Sequence, residues 1–337
     1  MTTSFSTLSR RQLLAGAAGT LAAAPLIAGG LGLARAQTAA KPVRIAWNAG
    51  AVCSAPVGYA IDKGILAKHG LAGETVNFAG STEQLLEAIA TGKADAGVGM
   101  ALRWLKPLEQ GFDVKVVAGT HGGCIRLLGS KSAGATKLEN LKGKTIAVSD
   151  LASPGKSFFS VLLQRAGIDP NTEVDWRVFP ADLLALAVEK GEAQALAHWD
   201  PDAWRFLKND DLVEIANNLT GEFANRTCCV IAVRGSWFRE DKAAVKALVT
   251  GLLEASTLAA NDPLTTAQVY YDTYRPKSSV EDLVAMLKSH THHHHPLGDA
   301  LKRELALYAE ELKSVQVLKR STDPVQFAER IYGDVFS

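Results

Sequence analysis

The chain has 337 residues, of which 47% are hydrophobic and 21% charged, with a formal net charge of +1. This is ordinary globular composition with length enough for two domains or lobes. A near-neutral balance without a dense Lys/Arg block excludes the electrostatic footprint of a nucleic-acid or anionic-membrane binder.

In chain order, Ser9-Arg10-Arg11-Gln12-Leu13-Leu14 opens an apolar Ala/Gly/Leu run that ends at Ala34-Arg35-Ala36. Paired arginines, an apolar stretch and an A-x-A site are the parts of an export signal, and the hexapeptide resembles the twin-arginine motif. Residues 1–36 are therefore expected to be cleaved, giving a periplasmic protein exported folded, with its mature start near Gln37. Gly16, Gly19, Pro25, Gly29 and Gly30 interrupt the run and argue against a membrane anchor, so no stable insertion is expected after cleavage. No Cys precedes Cys53, which excludes a lipid-anchoring cysteine. Four cysteines are present, but Cys228 and Cys229 are neighbours, and a bond between adjacent residues is strained. Neither C-x-x-C nor H-E-x-x-H spacing occurs, so the strong zinc signatures are absent.

From Lys41 short apolar strands alternate with helical patterns, which predicts an α/β architecture with largely parallel sheets. The organising feature is an internal repeat. A strand at Val43 to Trp47 and another at Thr145 to Val148 each lead through small residues to a helix that stops at Gly70 or Gly167. A second strand and helix follow, stopping at Gly92 or Gly191, and "GKADAGVG" answers "GEAQALAH" as a third strand. Glycine after a helical run supplies the left-handed conformation that ends a helix, so one punctuation predicts two similar lobes. The run from Val114 and its counterpart from Ala224 would carry the chain between lobes. The expected division is 41–123 plus 232–337 for lobe 1, and 124–231 for lobe 2, with two crossing segments as a hinge. Helices are predicted near Ala243 to Leu258, Thr265 to Tyr274 and Leu301 to Leu312.

"GSTEQLLEAIATGKADAGVG", "LENLKGKTIAVSDLASPGKSFFSVLLQRAGI" and "LALAVEKGEAQALAHWDPDAW" resemble the periplasmic substrate-binding proteins of nitrate/sulfonate/taurine/bicarbonate ABC transporters, the family also described as NMT1/THI5-like. The resemblance covers most of the mature chain. It implies a type II two-lobed binding protein, monomeric and without catalytic activity or cofactor, that closes on a small anion and delivers it to an ABC permease. Gln194 departs from the family, in which Asp is usual at this position, and so does the histidine run.

Ligands of α/β proteins sit at strand-end loops, so the cleft between lobes is where contacts are sought. After the first strand these are Asn48, Gly50, Cys53 and Ser54; Met100 ends the third strand. Gly80, Ser81 and Thr82 precede a helix, and a helix N-terminus offers free N–H groups to an anion, although Ser81 with Gln84 also fits a plain capping box. Ser149, Ser153 and Lys156 repeat that arrangement in lobe 2, where Ser153 is an N-cap before Pro154. His121 and Gly122 lie at the first crossing, where the resemblance places a similar pair beside nitrate or bicarbonate. Cys124 with His121 suggests a nucleophile, but no third orienting group is evident. Trp199 would wall the ligand, and Asp200 would contact it or cap the next helix. Arg126 and Arg226 flank the crossings, and either could meet an anion; Arg226 is taken as a contact.

The stretch "KSHTHHHHPLG" holds five of the chain's eight histidines. Were the helix from Val280 to run through His294, then His290, His293 and His294 would share a face able to hold Zn²⁺, Cu²⁺ or Ni²⁺. Pro296 biases His295 out of helix, so the run reads more readily as a weakly chelating surface tract at a helix end than as a physiological metal site. A metal or metal-chelate cargo is the alternative to an anion, and a THI5-like pyrimidine-synthesis enzyme is a third reading that the export signal opposes.

Overall fold

The computed structural model describes residues 40–48, 50–78 and 82–337, so the expected export signal, Gly80 and Ser81 lie outside the described residues. Among the described residues ten strands form two five-stranded sheets. The first holds β1 (Lys41–Trp47), β2 (Leu71–Asn77), β3 (Ala96–Met100), β4 (Val114–His121) and β10 (Cys229–Arg234) in the order β2-β1-β3-β10-β4. The second holds β5 (Ile125–Ser130), β6 (Thr145–Val148), β7 (Asp175–Val178), β8 (Ala195–Trp199) and β9 (Leu212–Asn217) in the order β7-β6-β8-β5-β9.

The sheets are mixed rather than largely parallel. The first three strands of each are parallel, whereas β10 runs antiparallel to β3 and β4, and β5 antiparallel to β8 and β9. Each antiparallel strand is the first one the chain forms after changing lobe, so a crossing reverses direction where a helical return would not. β10 pairs with the first sheet from Cys229 onward, so Cys229, Val230 and Ile231 of the span expected for lobe 2 belong to the first sheet.

The repeat has its physical cause in the glycines. Gly70, Gly92, Gly167 and Gly191 all take φ between 73 and 78°, each two residues beyond the end of a helix. That left-handed backbone ends a helix with little cost only for glycine. The central strands β3 and β8 are buried on both faces along their whole length, as strands covered by helices on each side must be.

Helices Lys242–Asn261, Pro263–Tyr274 and Gly298–Ser314 occupy the three predicted positions. Lys242–Asn261 is the one described helix long and apolar enough to cross a membrane. Its buried residues Val245, Leu248, Val249, Leu252, Ala255 and Ala259 recur at helical spacing and pack against helices Ala55–Asp62 and Ile65–Lys68, as a core helix does.

Candidate functional site

The strand-end loops of the two sheets meet. Trp199 Nε1 donates to the Gly50 carbonyl at 3.2 Å, and the Val52 N–H donates to the Asp200 carbonyl at 3.2 Å. Arg103, in the helix Ala101–Glu109, reaches over to Asp150 at 2.7 Å. The loop after β1 and the loop after β8 thus close on each other.

Asp200 is the polar centre of this contact and is fully buried. Arg126 Nε and Nη2 donate to its carboxylate at 2.9–3.2 Å, His290 Nε2 lies 2.9 Å from Oδ2, and the Trp204 N–H donates to Oδ1 at 3.1 Å. Burial alone would raise the carboxyl pKa; His290 and Arg126 outweigh it and hold the group below its usual range. Arg126 is shared with Glu214, 2.5 Å from Nη1. Asp200 therefore accepts from the first turn of helix Asp202–Phe206, whose N-cap residue is Pro201, and it ties Arg126 of β5 to His290.

A cavity of about 30 Å³, room for one or two waters, lies beside this network; its wall includes Cys53, Thr120, His121, His290, His292 and His295. Both ring nitrogens of His121 and of His295 are buried without a hydrogen-bond partner. Burial lowers the pKa of His292 to about 4 and depresses His295, so both imidazoles are neutral. For His121 burial acts the same way, but the adjacent Cys53 sulfur offsets it and the pKa lies above the ordinary value. All four cysteines are buried and gather around Cys53 of this wall: Cys53 Sγ lies 3.7 Å from Cys229 and 3.6 Å from Cys124, and Cys124 lies 4.0 Å from Cys228.

The other expected contacts divide as follows. Asn48 and Ser54 serve the turn after β1: Asn48 Oδ1 accepts from Gly50 N, and Ser54 Oγ donates to the Asn48 and Ala51 carbonyls. Met100 is buried at the end of β3. Thr82 begins a helix whose preceding loop is outside the described residues. Ser153 caps helix Pro154–Arg165, accepting from Lys156 N at 3.2 Å, and Ser149 Oγ is buried with no partner. The Lys156 ammonium lies over the Trp176 ring, and burial lowers its pKa. Gly122 admits a neighbouring chain segment: a Cβ there would come within 2.6 Å of the Ala224 carbonyl and of Thr291.

Two expectations are corrected. Arg226 is not held ready for an anion, since Glu311 takes both Nη atoms at 3.0–3.1 Å and Tyr308 and Phe223 cover its faces. The histidine run is not helical: helix Val280–Ser289 ends before it, His290 is extended, and His293 has φ of 67°. His290 is committed to Asp200, His294 pairs with Glu304 at 2.7 Å, and His293 is exposed, so the three do not converge on an ion. The run instead lines the open edge of β4, where Gly119 N donates to Pro296 O and Gly122 N to Thr291 O. An uncovered strand edge is an aggregation hazard, and this segment closes it.

Sequence reasoning missed Arg103, Asp150 and the gathering of the cysteines. A signal for the last existed: Cys124, Cys228 and Cys229 fall at the two crossings, and Cys53 in the loop after the first strand.

This architecture is the two-lobed periplasmic-binding-protein fold. It is similar to the alkanesulfonate-binding protein SsuA from Xanthomonas axonopodis pv. citri bound to MOPS (TM-score 0.72, 18% identity, 86% of this chain and 98% of that one). It is similar also to the periplasmic aliphatic sulphonate binding protein SsuA from Escherichia coli (0.72, 17%, 87% and 92%). The periplasmic nitrate-binding protein NrtA from Synechocystis PCC 6803 is a further neighbour (0.69, 14%, 87% and 86%). No curated protein matches the sequence. Residues 36–270 match the NMT1-like family, and the chain belongs to it.

Proposed function

We propose that this protein is the solute-binding component of an ABC importer, a periplasmic monomer that captures a small anion of the sulfonate, nitrate or bicarbonate class and passes it to a permease. The observation that carries the reading is the meeting of two equivalent sets of strand-end loops, Gly50 and Val52 against Trp199 and Asp200, between lobes joined by two crossings. A ligand that touches both lobes favours closure by its differential affinity for the closed state. Ser149, with its unpartnered hydroxyl, and the Ser153-capped helix start offer hydrogen-bond donors and a positive dipole end on the lobe 2 side. The ligands of the structural neighbours, sulfonates and nitrate, have the matching chemistry. Export by the twin-arginine route would place the folded protein where such a component works.

The test is a thermal-shift panel on protein stripped of ligand by unfolding and refolding, against nitrate, bicarbonate, taurine and alkanesulfonates, with EDTA present. A ligand at a hundred times its Kd stabilises by about 2.7 kcal/mol, a readily seen shift. One anion is expected to shift the midpoint, and Ser149→Ala to reduce that shift; if no anion does so, the reading is wrong.

A further inference from the structure

We propose that Cys53, His121 and Cys229 form a binding site for a thiophilic d¹⁰ metal cation, of the Zn²⁺ or Cu⁺ kind, built on the first sheet beside the crossing segments. Among the described residues these three form the one group whose ligand atoms lie mutually within 4.8 Å. All are buried.

The site is set by strand geometry. His121 ends β4, Cys229 begins β10, and the two stand directly opposite in the antiparallel ladder. Opposed residues project from the same face of a sheet, with Cβ atoms about 5 Å apart. Cys53 comes from the turn Val52–Ser54, held by the Val52 N–H bond to the Asp200 carbonyl and by the bonds of Ser54 to the Asn48 and Ala51 carbonyls. Ligands on paired strands lose little freedom on binding an ion, which is what a preformed site requires.

The spacing suits a small tetrahedral ion. Metal–sulfur bonds of about 2.3 Å at tetrahedral angles put two sulfurs about 3.8 Å apart, and Cys53 and Cys229 are separated by 3.7 Å. Neither ring nitrogen of His121 makes a hydrogen bond of normal geometry, and its neighbours are the Cys53 thiol and the Gly122 backbone. An unsatisfied buried imidazole between thiols is costly unless something occupies it. Thiolates select Cu⁺ and Zn²⁺ over hard cations. On ligation each thiol releases its proton to solvent as its metal–sulfur bond forms, and His121 binds as the neutral ring, so a divalent ion displaces at least two protons.

The experiment is an anaerobic Co²⁺ titration of the reduced, metal-stripped protein, followed by Zn²⁺ displacement and, separately, Cu⁺ competition against a bathocuproine chelator. The expected result is a thiolate-to-cobalt charge-transfer band saturating at one equivalent, with proton release, lost on Zn²⁺ addition. Cys53→Ser and Cys229→Ser should each abolish the band, and His121→Gln should weaken binding by about tenfold or more. His293→Ala should change nothing. Circular dichroism separates lost ligation from lost folding, and His121→Gln, the mildest change, serves if the serine variants unfold. The proposal is overturned if the native protein gives no charge-transfer band and no Cu⁺ retention, or if binding survives loss of both cysteines.

Discussion

The two lobes are built to one plan, and they satisfy it with different chemistry. In lobe 1, Asp95 at the start of β3 accepts from the Arg44 N–H at 3.0 Å, while the Arg44 guanidinium grips the same carboxylate and donates to the Gly92 carbonyl at 2.8 Å. In lobe 2 the matching residue is Gln194. Its Oε1 accepts from the Thr145 N–H at 3.0 Å and its own amide donates to the Gly191 carbonyl at 3.3 Å. Both schemes satisfy the same backbone groups, one with an ion pair and one with a single neutral side chain. What the fold requires at this corner is an acceptor for the strand and a donor for the helix end, not a charge. The departure at Gln194 is therefore a substitution of means.

Their cleft sides differ more sharply. Lobe 1 contributes thiols and an unpartnered imidazole, whereas lobe 2 contributes Asp200 and Arg126, fully paired. Removing a partner from the second should be the most damaging single change: Arg126→Ala leaves Asp200 buried with too little compensation, and a loss of roughly 3–5 kcal/mol is expected from denaturant unfolding. The comparison fails if Arg126→Ala costs no more than an exposed arginine.

Acid should also strike lobe 2. His198, buried at 1% exposure beside Trp199, has its pKa pushed down to about 4 by burial. A histidine whose folded pKa is depressed adds stability that is present above its unfolded pKa, near 6.5, and is lost as pH falls toward 4. Between pH 7 and pH 5 that loss is about 2 kcal/mol from this residue. His292 acts in the same sense and His121 in the opposite one. Melting temperatures of the native protein and of His198→Asn at both pH values isolate the His198 share; equal slopes would remove His198 from the account.

The smallest effect sharpens the Asp95 and Gln194 contrast. Asp95→Asn keeps an acceptor for Arg44 N but strips two arginines of their carboxylate, Arg234 being the second at 3.2 Å. With Arg44 partly exposed, about 1 kcal/mol is expected. Gln194→Leu removes acceptor and donor together and should cost about 1–3 kcal/mol by leaving backbone groups unpaired. If Asp95→Asn proves the costlier, charge matters at this corner after all.

Much of this was legible in the sequence. The repeat, the four helix-ending glycines, the Ser153 cap and the late helices depend on local backbone preference and on periodicity, which neighbouring residues settle among themselves. The NMT1-like resemblance was carried by those same segments. The histidine run misled because residue spacing implies a shared face only if the helix continues, and here it ended at Ser289.

The sequence by itself determined two α/β lobes, their punctuation and the chain's passage between them, since each is written in residues close together along the chain. Only the tertiary structure decided which distant groups meet. Arg226 found Glu311, His290 found Asp200, and Cys53 found Cys229 across 176 positions. Such pairings follow from how the sheets place their strand ends, and no local signal encodes a distance in space.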